Sequence, residues 1–115
     1  MTYEELVLKV REAYEDADAR EIYDHIAIQV NVEGEAAGAF YVEIANRQIS
    51  VEPYDYYDRD GLITTTAETI MRLVDNKVSF MEAMMSGELN VVGNMEKLKK
   101  LARVKKVTKP KKQRK

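Results

Sequence analysis

Hydrophobic positions change their spacing several times along the chain, and each change predicts a new element. Residues 2–18 place apolar side chains at three- and four-residue intervals, which indicates an amphipathic helix. Thr2 and Glu5 stand three residues apart at its start, as in a capping box. Because the acidic residues Glu15, Asp16 and Asp18 oppose the helix dipole, we expect the helix to end near there.

From Ile22 onward the period is two, which predicts a strand with one apolar and one polar face. A second alternating segment follows the turn at residues 34–38, and a third follows a tight turn at Asn46-Arg47 and should end at Pro53. Together these segments predict an antiparallel meander. Its apolar face needs a cover.

The rest of the chain supplies that cover and two more strands. LITTT predicts a fourth strand, residues 67–75 a short helix, and Asn76 its end. Residues 77–95 combine a methionine-bearing helix, a turn at Gly87 and a fifth strand, and residues 94–103 predict a last amphipathic helix. This order of elements indicates an α+β domain.

Composition narrows the class of protein. With 115 residues the chain is long enough for one domain, and no apolar run approaches the roughly 18 residues that a membrane span needs. The first residues are polar and acidic, unlike a signal peptide, so we expect a cytoplasmic setting. The absence of cysteine excludes disulfides and thiolate chemistry.

Charge is distributed unevenly. Of the 18 basic and 20 acidic residues, seven basic residues and no acidic one lie in residues 105–115, so this end carries about +7 and the remainder about −9. We expect residues 1–103 to fold and residues 104–115 to form a disordered basic tail. The predicted contacts of this tail with a membrane or polyanion are Lys105, Lys106, Lys109, Lys111, Lys112, Arg114 and Lys115.

Catalytic and metal-binding patterns are sparse. His25 is the only histidine, and Ser86 lies outside the G-x-S-x-G pattern of serine hydrolases. The loop YDYYDRDG, residues 54–61, matches part of a calcium loop, but Tyr56 and Ala67 occupy its first and twelfth ligand positions. We therefore predict a solvated turn there, and no catalytic residue, cofactor or metal anywhere.

The segment AMMSGELNVVGNMEKLKKL, residues 83–101, resembles the sterol carrier protein 2 family of lipid-binding domains. The family pattern is a small residue, Ser-Gly, Lys-Leu-x-Val-x-Gly-Asp and a closing helix. The matching positions are Ser86, Gly87, Leu89, Val91 and Gly93. Element order extends the resemblance over residues 3–103.

The resemblance implies an α+β fold with a five-stranded, mostly antiparallel sheet, helices on one face and an apolar cavity between them. It implies lipid-binding wall positions at Ile70, Val74, Phe80, Met81, Met84, Met85, Leu89 and Val91. The last helix would be a movable cover bearing Met95, Leu98 and Leu101. Flexible methionines suit a cavity that accepts chains of several shapes.

Departures from the family pattern refine this expectation. Glu88 replaces the usual lysine, Asn94 the usual aspartate, and Met84 a frequent phenylalanine. The chain ends in Gln-Arg-Lys at 113–115, whereas eukaryotic members end in a peroxisomal Ser-Lys-Leu-like signal. We therefore expect a small, prokaryotic-type, stand-alone member whose ligand is a fatty acyl chain, acyl-CoA or isoprenoid-like lipid rather than a sterol.

The sequence leaves three functions open. The first is non-enzymatic binding or carriage of a lipid, with the basic tail on an anionic membrane. The second is a nucleic-acid or acidic-partner module acting through the tail, although the tail lacks the aromatic residues that stack on bases. The third is an accessory domain that presents a lipid substrate to a separate enzyme.

Overall fold

The structure is a computed structural model and describes residues 1–105. Four helices and five strands follow in the order α1 (Tyr3–Tyr14), β1 (Ile26–Glu33), β2 (Gly38–Ala45), β3 (Gln48–Glu52), β4 (Gly61–Thr66), α2 (Ala67–Val74), α3 (Phe80–Met85), β5 (Asn90–Gly93) and α4 (Met95–Ala102). The predicted α+β class is confirmed, and most element bounds agree with the sequence to within a few residues.

Local chemistry explains where the elements begin and turn. The predicted capping box forms, since the Thr2 hydroxyl accepts from the Glu5 amide at 3.1 Å and the Glu5 carboxylate accepts from the Thr2 amide at 2.7 Å. Asn46 and Arg47 both have positive φ, 55° and 63°, as a two-residue hairpin turn requires. A second capping box, between Ser79 and Glu82, starts α3.

The five strands form one sheet in the order β3-β2-β1-β4-β5. The β1–β2, β2–β3 and β4–β5 pairs are antiparallel, while β1 and β4 run parallel with Val30 opposite Ile63. The parallel pair places β4 directly beside the central strand. The helices lie against the apolar face of this mostly antiparallel sheet, and α1 covers the β3 side.

The core lies between that sheet face and the helices. Its largest fully buried side chains are Leu6, Ile26, Ile28, Phe40, Ile44 and Leu98. They come from α1, from the two central strands and from α4, so the last helix belongs to the core. Burial of such side chains is the main favourable term in folding.

The other sheet face differs from the prediction. The predicted turn at residues 54–61 is largely exposed to solvent, as expected. Ala27 and Gln29, on the predicted polar face of β1, are nevertheless buried. The loop lies across them, because the Tyr56 amide donates to Gln29 Oε1 at 2.9 Å and the Ala27 amide donates to Asp60 Oδ2 at 2.8 Å. Central strand β1 is therefore covered on both faces.

Two predicted boundaries also shift. The first strand begins at Ile26 rather than Ile22, because a turn at residues 20–21 and irregular backbone at residues 22–25 precede the sheet. Val104 is buried, so packing continues one residue beyond the predicted domain end at 103. Lys105 is exposed. The other predicted tail contacts, at residues 106–115, lie outside the described residues, and their roles stay predictions.

Candidate functional site

An apolar cavity of about 500 Å³ lies between the sheet and the helices. Its sheet wall consists of Ile28, Val30, Phe40, Val42, Ile63 and Thr65. Its helical wall includes Val10 and Tyr14 of α1, Ile70, Leu73 and Val74 of α2, residues 78–80, Leu89, and Leu98, Leu101 and Ala102 of α4. This volume falls within the roughly 300–1,000 Å³ typical of small-molecule sites.

Two of the few polar groups in the wall already have partners. The Thr65 hydroxyl donates to the Glu88 carbonyl at 2.7 Å, and the Ser79 hydroxyl accepts from the Glu82 amide at 3.0 Å. The Tyr14 hydroxyl makes no hydrogen bond to residues 1–105. Burial raises the pKa of Tyr14 to about 12, so this group stays protonated at neutral pH. The wall therefore suits hydrocarbon far better than a polar solute.

The structure brings half of the predicted wall residues together. Ile70, Val74, Phe80 and Leu89 line the cavity, as do Leu98 and Leu101 of the predicted cover helix. The sheet-wall residues and the two α1 residues were not predicted to line the cavity. Their alternating and helical spacings marked them as buried, but spacing does not distinguish a cavity wall from packed core.

The three predicted methionine positions lie away from this cavity. Met81, Met84 and Met85 do not line the cavity, and Met81 and Met85 are 46% and 81% exposed. The reason is that α3 spans only six residues and faces the core through the fully buried Ala83. The Ala83 carbonyl accepts from the amides of Glu88 and Leu89, which holds that side of the helix inward.

Val91 and Met95 were also predicted to lie at the site. Both are partly buried and pack against the core, but neither lines the cavity. Val91 lies on the edge strand β5 opposite Ile63, and Ile63 occupies the position nearer the cavity. Met95 is the first residue of α4, one turn before the lining residue Leu98.

Helix α4 is tied to the sheet through Asp60. This carboxylate accepts from the Ala27 amide through Oδ2 and from Lys97 Nζ through Oδ1 at 3.0 Å, and the Asp60 carbonyl accepts from the Asn94 amide at 2.9 Å. A second ion pair joins Lys100 to Asp24 at 2.6 Å. These contacts hold the cavity-lining side of α4 in place.

Asp60→Asn is expected to lower the free energy of unfolding by about 1–2 kcal/mol at neutral pH. The substitution removes the ion pair with Lys97 and weakens the bond to the Ala27 amide, whose donor is partly buried. Chemical denaturation measures the loss. Asp58→Asn is the control, since Asp58 is exposed in the same loop and should change stability by less than about 0.5 kcal/mol. Equal effects would contradict the role of Asp60.

The stability difference between wild type and Asp60→Asn should depend on pH. Burial alone would raise the pKa of Asp60, but the Ala27 amide and the Lys97 ammonium outweigh it and hold that pKa below its ordinary value of 3.8. The stabilisation that ionised Asp60 provides is therefore complete above its ordinary pKa of 3.8. It is lost as the pH falls through the lower pKa that Asp60 has in the folded protein. The stability difference between wild type and Asp60→Asn should shrink in acid.

A polar cluster lies on the opposite face of the sheet. Glu43 Oε2 is 2.6 Å from His25 Nε2 and accepts from the Tyr56 hydroxyl at 2.9 Å, and the Tyr41 ring meets the Tyr56 ring edge-on. The hydrogen bond to Glu43 raises the pKa of Tyr56. The cluster fixes the loop over β1 and places His25 in a hydrogen-bonding role.

Within residues 1–105, no three histidine or acidic side chains converge on a point where a metal ion could bind. No helix in that range combines the length and the apolar character needed to cross a membrane.

The family comparison extends over nearly the whole described chain. A sequence profile described as the SCP-2 sterol transfer family matches residues 5–106. The match includes every cavity-lining residue. No curated protein sequence matches the chain.

Solved structures share the fold at low sequence identity. The palmitated SCP2L2 from Aedes aegypti has a TM-score of 0.66 at 16% identity, covering 89% of this chain and 92% of its own. The UbiJ-SCP2 ubiquinone synthesis protein has a TM-score of 0.59 at 18% identity, with 84% of each chain covered. The sec-alkylsulfatase Pisa1 from Pseudomonas sp. reaches 0.71 at 14% identity over 86% of this chain, which spans only 16% of the sulfatase.

Proposed function

The chain belongs to the SCP-2 sterol transfer family, and from this premise we propose that its cavity binds and carries the hydrocarbon chain of a lipid without catalysing a reaction. The observation that carries the proposal is the cavity of about 500 Å³ with its mostly apolar wall. The palmitated state of the Aedes aegypti protein gives the proposal support from a related fold.

The energetics favour a long chain over a short one. Each methylene group that leaves water contributes about 0.8 kcal/mol, so ten buried methylenes contribute about 8 kcal/mol before the costs of association. Those costs are on the order of 4–15 kcal/mol. A short chain would therefore bind weakly, and useful affinity requires a chain that fills most of the cavity.

A binding titration tests this function. Delipidated full-length protein is titrated with a fluorescent fatty acid, and unlabelled palmitate is added as the competitor. We expect one saturable site per chain from which palmitate displaces the probe. Octanoate is the matched control, because its fewer methylenes should displace the probe only at much higher concentration. The absence of saturable, competable binding would overturn the proposal.

A second role is presentation of the bound lipid to a separate enzyme. It is supported by the likeness to a ubiquinone synthesis protein and by the matching segment within the much longer alkylsulfatase. Native mass spectrometry of the protein purified from cells separates the two roles by ligand class. A bound acyl chain favours carriage, whereas a bound enzyme substrate such as a polyprenylated ring favours presentation.

A further inference from the structure

The exposed residues of the cavity wall mark where the cavity opens. Most of the described lining residues are buried or half-buried, and the exposed ones fall in two short segments. They are Asn76 and Ser79 before α3, and Ala102, Arg103 and Lys105 at the end of α4 and just beyond it. The cavity therefore opens between the start of α3 and the end of α4, and these two segments form its rim.

The α3 side of this rim presents apolar side chains to solvent. Met81 and Met85 stand four residues apart on one face of the helix, and both are exposed. The one acid of α3, Glu82, is engaged at the helix start, where its carboxylate accepts from the Ser79 amide at 2.9 Å. Long, flexible methionine side chains on an exposed helix face are suited to entering the surface of a lipid bilayer.

The α4 side of the rim is strongly basic. Arg103 and Lys105 are exposed there, no acidic residue follows Glu96 in the sequence, and residues 106–115 add six more bases. The negative surface potential of an anionic bilayer attracts such a basic segment. Residues 1–104 together carry about −9, so the same bilayer repels the remainder of the molecule. Charge therefore favours one orientation, with the rim toward the bilayer.

We propose that this rim, together with the basic residues 105–115, docks on an anionic lipid bilayer. Met81 and Met85 enter the boundary between the head groups and the acyl chains, and the bases lie against the anionic head groups. Both signals are needed, because stable attachment to a membrane takes more than one weak anchor. The inference goes beyond lipid carriage, since docking depends on the outside of the rim and not on what the cavity contains.

The first experiment measures co-sedimentation of delipidated full-length protein with vesicles. Wild type should bind phosphatidylcholine vesicles containing about 30% phosphatidylglycerol roughly tenfold more tightly than vesicles of phosphatidylcholine alone. Added salt should remove this difference. The double variant Met81→Gln, Met85→Gln should bind the anionic vesicles roughly tenfold more weakly than wild type. Glutamine keeps the length and helix propensity of methionine but resists burial in hydrocarbon.

Leu8→Gln is the matched control. Leu8 is an exposed apolar residue on α1 and does not line the cavity, so its replacement removes a similar side chain from another helix. This variant should bind the anionic vesicles as wild type does. All three substituted side chains are exposed, and circular dichroism spectra and Tm values confirm that both variants are folded.

A tryptophan reporter distinguishes insertion of α3 from adsorption by charge alone. The chain has no natural tryptophan, so Met85→Trp and Leu8→Trp each carry a single indole. Emission of Met85→Trp should shift to the blue when anionic vesicles are added, because the indole leaves water for the membrane interface. Emission of Leu8→Trp should not change. Vesicle binding with neither spectrum shifted would contradict insertion of α3.

Three other results would overturn the docking proposal. The first is a wild-type protein that does not bind anionic vesicles, or a double variant that binds them normally. The second is a blue shift in Leu8→Trp alone, which would assign the contact to α1. The third is methionine-dependent dimerisation without vesicle binding, which would assign the face to a second copy of the chain. None of these measurements uses the fatty-acid titration, so failure of docking and failure of lipid binding are distinguishable.

Discussion

Val74→Trp is expected to lower palmitate affinity by about 50-fold while the protein stays folded. Val74 lies on α2 and lines the cavity, where it is only partly buried because its side chain faces the open space. A tryptophan there fills the volume of about three lipid methylenes, each contributing about 0.8 kcal/mol, which corresponds to that loss of affinity. Because it enters a cavity rather than packed atoms, Tm should be unchanged or higher.

Val92→Trp is the control for this substitution. Val92 lies on β5, is 69% exposed and does not line the cavity, so its replacement should leave affinity unchanged. The chain has no natural tryptophan, so each variant carries a single indole reporter. Emission should be blue-shifted in Val74→Trp relative to Val92→Trp. A folded Val74→Trp protein with wild-type affinity would show that lipid binds elsewhere.

Gly93→Ala should destabilise the fold by about 3 kcal/mol. Gly93 has φ of +126°, and a Cβ atom there would lie 2.5 Å from the Asp60 carbonyl oxygen and 2.6 Å from Gly61 Cα. Both contacts are with main chain in and before β4, which cannot move without disrupting the β4–β5 pair. The cost combines backbone strain with overpacking.

Gly87→Ala separates these two causes. Gly87 also has positive φ, +86°, but a Cβ atom there would meet nothing within 4 Å. It should therefore cost only about 1 kcal/mol from backbone strain. Urea denaturation of both variants measures the difference. If the two variants were equally stable, the close approach of β5 to the Asp60-Gly61 main chain would be wrong.

The elements of this fold were predictable because local chemistry determines them. The Thr2 capping box, the Asn46-Arg47 hairpin turn and the positive φ of Asn76 shortly after α2 each depend on residues close in sequence. The parallel pairing of β1 with β4 was not predicted. It joins strands about 35 residues apart, and no local pattern specifies which strand lies beside a central strand.

The candidate site was predicted only in part, for a similar reason. The family resemblance implied wall positions at Ile70 and Val74, which line the cavity, but also at Met81 and Met85, which the short α3 leaves exposed. Spacing shows that a segment has an apolar face, whereas cavity lining depends on how closely two layers approach.

Two ion pairs tie the last helix to the rest of the fold. Lys97 and Lys100 hold α4 to Asp60 and Asp24. The same helix carries the cavity-lining residues Leu98 and Leu101. If the proposed lipid exchange requires α4 to move, salt is expected to speed it, because salt screens these partly exposed ion pairs.

The most direct test of the proposed lipid site is an NMR measurement on delipidated protein saturated with ¹³C-labelled palmitate. Filtered nuclear Overhauser spectra report which protein protons lie beside the chain. The account predicts contacts from the palmitate methylenes to Val42, Ile63 and Val74, which line the sheet and α2 sides of the cavity. Contacts confined to the exposed Met81 and Met85, or none at saturation, would contradict it.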